Sequence, residues 1–109
     1  MISLRAWVGV ARTRGLPLLL PTLARVEILT LRPDAAGLVG ELTAHPHVLI
    51  TELSESERAA IEARIAATGT CDVLATWVIH ASQQRGWPAL SADPTRLRRV
   101  DPTVEIDLL

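Results

Sequence analysis

The chain has 109 residues, a length that suits one domain and buries roughly two-thirds of its unfolded surface without disulfides or metal. Hydrophobic residues make up 49% and charged residues 21%, which excludes a disordered tail. Eleven basic against twelve acidic residues give a formal net charge of -1; this excludes a strongly basic nucleic-acid binder and leaves only local patches.

Ile2 to Arg14 carries Leu4, Val8 and Ala11 at helical spacing and stops at Gly15, which suits a left-handed helix cap. Leu16-Pro17-Leu18-Leu19-Leu20 is a continuous apolar run and predicts a strand buried on both faces, as in a parallel sheet. Pro21 stands where a helix can begin, because the first turn needs no donor there. Leu23, Val26, Ile28 and Leu29 make this helix mostly apolar, with Glu27 as its one acid, and Pro33 ends it. Asp34 is placed to cap a third helix, running to about Ala44 before Pro46. His47-Val48-Leu49-Ile50-Thr51 predicts a second strand.

Ser54-Glu55-Ser56-Glu57 has the form of a capping box, and the helix it opens runs to about Thr68 with Ile61 and Ile65 on one face. Gly69-Thr70-Cys71-Asp72 leads into a helix from Val73 to Arg85, ended by Gly86. Pro88-Ala89-Leu90-Ser91 predicts a third strand, Asp93-Pro94 opens a last helix through Val100, and Thr103-Val104-Glu105-Ile106-Asp107 alternates in polarity as a strand at a sheet edge does. Strands and helices alternate, so the expected class is α/β with a mainly parallel sheet of about four strands.

The residue types narrow the chemistry. All eleven basic residues are Arg, so mechanisms built on a Schiff-base or P-loop lysine are excluded. Tyr and Phe are absent, and Trp7, Trp77 and Trp87 are spaced too widely for a base-stacking box; Trp77 and Trp87 are expected in or beside the core. Cys71 stands alone, which fits a reducing compartment. With no signal-peptide pattern at Met1–Trp7 and no uncharged run of about 20 residues, the expectation is a cytoplasmic domain that does not span a membrane. His45, His47 and His80 lack the partners of a zinc set or a nucleophile and read as surface or packing residues. Arg12 with Arg14, and Arg96 with Arg98 and Arg99, are either solvated helix faces or phosphate contacts.

Three acids invite a functional reading. In parallel α/β domains sites lie beyond the C-terminal ends of strands, and Asp93 follows the strand at 88–91 while Asp72 opens the helix leading to it. Both also suit plain helix capping. Glu27 sits between Val26 and Ile28, where an ionised carboxylate requires water, a partner or a metal; Arg25 or Arg32 would serve as an ion-pair partner. Together the three suggest an oxygen-ligand site for Mg²⁺ or Mn²⁺, an ion able to polarise a phosphodiester and lower the pKa of bound water.

Gly69-Thr70-Cys71-Asp72-Val73-Leu74-Ala75, then Arg85-Gly86-Trp87-Pro88-Ala89-Leu90-Ser91-Ala92-Asp93-Pro94 and Leu97-Arg98, resemble the C-terminal half of a PIN domain of the VapC toxin type. Ser91-Ala92-Asp93 matches the strand ending [TS]-x-D of that family, and Pro21-Thr22-Leu23-Ala24-Arg25-Val26-Glu27 resembles its strand-to-helix step ending in Glu. The resemblance implies one PIN-like domain over 1–109 and a divalent-metal ribonuclease, with Glu27, Asp72 and Asp93 holding Mg²⁺ or Mn²⁺ or orienting its water. It also implies an RNA substrate, a homodimer and a cognate antitoxin protein. Two departures stand out. The family opens with a hydrophobic strand ending in Asp, whereas here no residue before Glu27 is acidic and the first element is a helix. Many relatives also carry the helix acid about one turn later, where this chain has Ala75. The absent strand and acid point to impaired activity, or to a non-catalytic remnant or interaction module. An in-frame strand ending in Asp upstream of Met1 would instead complete an ordinary enzyme.

Overall fold

The computed structural model describes residues 4–108. The elements alternate as the sequence predicts, and the chain divides into two units, Ile2–Glu52 and Leu53–Leu109.

In the first unit α1 spans Leu4–Arg14; the expected start at Ile2 lies outside the described residues. Gly15 adopts φ +66°, where a side chain would be strained. It ends α1 with a paired closure in which Leu16 N donates to Ala11 O (2.8 Å) and Gly15 N to Arg12 O (3.3 Å). Strand β1 (Leu18–Pro21) pairs in parallel with β2 (Val48–Thr51), Leu18 opposite Val48 and Leu20 opposite Ile50. Between them run α2 (Thr22–Leu31), a 3₁₀ turn (Pro33–Ala35) and α3 (Ala36–Thr43).

Several expectations are corrected here. Leu18, Leu19 and Leu20 are only half-buried, and Leu49 and Ile50 are exposed, so this sheet is not covered on both faces. Asp34 does not cap α3: both of its oxygens accept from the Arg32 guanidinium (3.1 and 3.0 Å), and α3 begins after the 3₁₀ turn with no side-chain cap.

In the second unit α4 spans Glu55–Thr68 and α5 Val73–Arg85, closed by Gly69 and Gly86 in the left-handed conformation. The capping box is present: Ser54 Oγ accepts from Glu57 N (3.2 Å), and Glu57 Oε1 accepts from Ser54 N (3.3 Å). Strand β3 (Ala89–Ser91) pairs in parallel with β4 (Ile106–Leu108) across the short helix α6 (Pro94–Arg98). Ala75 and Ile79 of α5, Ala89 of β3 and Leu97 of α6 form a buried cluster, with Val78, Val100, Val104 and Ile106 packed on it.

The last helix and strand differ from expectation. Helix α6 stops at Arg98, and β4 starts only at Ile106, because Asp101 Oδ1 accepts from Thr103 N (2.9 Å) and Thr103 Oγ1 (2.7 Å) and folds 101–103 into a side-chain-closed turn. The four short strands form two parallel pairs, β1–β2 and β3–β4, where the sequence predicted one sheet. The fold class is mixed α/β. No described helix is long and apolar enough to cross a membrane.

Candidate functional site

Helix α5 begins at Asp72 because its carboxylate caps the first turn, Oδ1 accepting from Ala75 N at 3.1 Å. Asp72 O also accepts from Thr76 N and Thr76 Oγ1, at 3.0 and 2.8 Å. Helix α6 begins at Asp93 for the same reason, with Oδ1 accepting from Arg96 N at 3.2 Å. Pro94 follows at a position that needs no donor. Asp93 N in turn donates to Ser91 Oγ at 2.9 Å, which fixes the step out of β3.

Arg96 joins these two caps. Its backbone N–H serves Asp93, while Nε donates to Asp72 Oδ2 (2.6 Å) and an Nη to Asp72 Oδ1 (2.9 Å), a forked guanidinium–carboxylate pair. The pair is about one-third exposed on both sides. Arg96 beside it is the main reason the Asp72 carboxyl is held below the usual carboxylate range, with the Ala75 N–H and the charge of Arg99 assisting against partial burial. Asp93 is exposed.

Of the three sequence-selected acids, Asp72 and Asp93 are thus linked through one residue at the C-terminal end of β3. Glu27 belongs to the other unit, half-buried in the second turn of α2, next to the exposed Val26. Among the described residues no group of three or more His, Cys, Asp or Glu side chains is assembled to hold a metal ion.

Arg96 is the residue that sequence reasoning grouped wrongly. Taken with Arg98 and Arg99 it reads as part of a basic face, yet it is half-buried against an acid 24 positions earlier while Arg98 and Arg99 are exposed. Only a long-range contact separates the three, so no local pattern marks it. Trp77 is buried as expected, whereas Trp87 is 41% exposed with the Arg85 guanidinium 5.9 Å from its ring centroid. His80 is 8% exposed and its Nδ1 is buried without a hydrogen-bond partner. Cys71 is exposed.

No protein-family model matches the chain, and comparison with curated proteins and with solved structures found no significant match.

Proposed function

We propose that the chain is a PIN-like, VapC-type domain with weak divalent-metal-dependent ribonuclease chemistry, in which Asp93, Asp72 and Glu27 are the acids that matter. The observation that carries this reading is the linkage of Asp72 and Asp93 through Arg96 where β3 ends, since parallel α/β domains put their chemistry at that edge.

The donor set is hard carboxylate oxygen, which suits Mg²⁺ or Mn²⁺. Asp93 fits best, because it is exposed and its capping bond uses one oxygen. Asp72 fits only after the Arg96 guanidinium leaves its oxygens. A bound cation would supply a water of lowered pKa and polarise the phosphodiester. Asp93 would hold such an ion, and Asp72 would orient it or its water. Arg96 would then present its planar guanidinium fork toward a phosphate. An RNA substrate, a homodimer and a cognate antitoxin belong to the same proposal.

A second reading, a non-catalytic interaction module, is favoured by the same contacts: both carboxylates already cap helices and one is neutralised internally. Incubating the chain with labelled RNA in Mg²⁺, Mn²⁺ or EDTA separates the two. The nuclease reading expects slow cleavage that requires metal and is lost in Asp93→Asn. No cleavage under any of these conditions, or cleavage indifferent to EDTA and to Asp93→Asn, overturns it.

A further inference from the structure

Helices α4 and α5 frame an open depression of about 640 Å³ that includes none of Glu27, Asp72 and Asp93. Ser54, Ser56, Glu57, His80, Gln84 and Arg85 line it. The sequence gives no hint of this grouping, because His80 is far along the chain from the serines it meets here.

The wall holds more donors than it uses. Arg85 is exposed, reaches only the Ala81 carbonyl at 3.5 Å and the face of Trp87, and has no ion-pair partner among the described residues. Among the described residues Ser56 Oγ meets only Ser54 Oγ, at 3.3 Å. In the first turn of α4, the N–H groups of Glu57 and Arg58 are taken by Ser54 Oγ and Ser54 O, while those of Glu55 and Ser56 have no acceptor among the described residues.

His80 adds an independent sign. A buried imidazole nitrogen without a partner costs about 1–3 kcal/mol, and native structures keep few such atoms without a reason. The one acid in the wall, Glu57, is tied to Ser54 at the start of α4. Glu57 Oε1 accepts from Ser54 N and from Ser54 Oγ (2.9 Å). Those Ser54 bonds, with help from the Trp77 side chain, hold the Glu57 carboxyl below its usual range.

A free guanidinium, a hydroxyl, a carboxamide and the positive end of a helix of 14 residues together select an oxyanion with several acceptor oxygens. We infer that this depression binds a phosphate monoester or inorganic phosphate between Arg85 and the start of α4, with the His80 imidazole as its inner wall. This inference is independent of the nuclease reading, since neither Asp72 nor Asp93 takes part.

The test titrates inorganic phosphate into the whole chain at constant ionic strength and follows the His80 ring signals by NMR. A saturable shift at millimolar phosphate is expected. Arg85→Gln should weaken binding about tenfold or more, as loss of a charge-assisted contact does. Arg32→Gln, an equal loss of charge in the other unit, should leave it unchanged. A second arm compares a ribodinucleotide carrying a terminal phosphate with its unphosphorylated counterpart, and only the former should bind. A non-saturating response, equal weakening by Arg32→Gln, or equal binding of the two dinucleotides overturns the proposal. Because Arg85 is a surface residue, its variant is expected to fold and keeps the test valid.

Discussion

The two units share a plan, a parallel strand pair bridged by helix, yet they are stabilised differently. In the 53–109 unit every helix start is held by a side chain: Ser54 on α4, Asp72 on α5 and Asp93 on α6. Its helix α5 is buried at Leu74, Ala75, Thr76, Trp77, Ile79 and His80. In the 2–52 unit neither α2 nor α3 has a side-chain cap, α2 contains no buried residue and α3 only Val39. Large apolar groups there are left in solvent, Leu31 at 70% and Val26 at 58% exposure. Helices in proteins are stabilised chiefly by packing of an apolar face and by termini whose orphan donors find partners. The second unit has both, and the first depends more on its strand pair.

The widest contrast is expected in the core. Ile79→Ala, at a side chain with no exposed surface inside the Ala75–Ala89–Leu97 cluster, should destabilise by about 2–5 kcal/mol. Leu49→Ala, at a strand residue 48% exposed, should cost less than about 1 kcal/mol. Urea denaturation of both variants measures the difference, and equal losses would erase the distinction between the units.

Next in size is the cap at Asp72. Asp72→Ala removes an N-cap worth about 1 kcal/mol and a partly exposed ion pair worth at most about another 1 kcal/mol. The sign with pH follows from the lowered carboxyl. A group whose folded pKa lies below its unfolded value adds stability above about pH 4 and loses it as pH falls through the folded pKa. The gap between wild type and Asp72→Ala should therefore be full near neutrality and narrow in acid. A gap that widens in acid would show that Arg96 is not what stabilises the ionised form.

The smallest effects should differ in sign. Gly86 sits at φ +66°, so Gly86→Ala should destabilise by about 1 kcal/mol. Gly40 lies inside α3 with open space where a Cβ would stand, so Gly40→Ala should stabilise by about 0.5–1 kcal/mol. Thermal melts of the two variants would shift in opposite directions.

The same contrast explains what could be read from the sequence. The bounds of α4 and α5 were legible because Ser54, Glu57, Asp72, Gly69 and Gly86 announce helix ends through local chemistry. The third helix misled because Asp34 had a competing local partner, the Arg32 guanidinium two positions away, which takes both of its oxygens. The fourth strand misled because alternation in Thr103–Asp107 hid the pull of Asp101 on Thr103. Strand partners depend on long-range pairing, so one sheet and two sheets look alike in sequence. At the candidate site the two capping acids were visible from spacing. Arg96 between them, and His80 among the serines of α4, were not, because contacts across 24 or more positions leave no periodic trace.

Each strand finds its partner within its own contiguous stretch of chain, β1 with β2 before residue 52 and β3 with β4 after residue 88. During synthesis this matters for timing. Once Thr51 has left the ribosome, the first parallel ladder has every residue it requires, and its pairing need not wait for the remaining half of the polypeptide. Closing the β3–β4 pair then requires a shorter loop than closing β1–β2, so the lower entropic cost falls on the half made last.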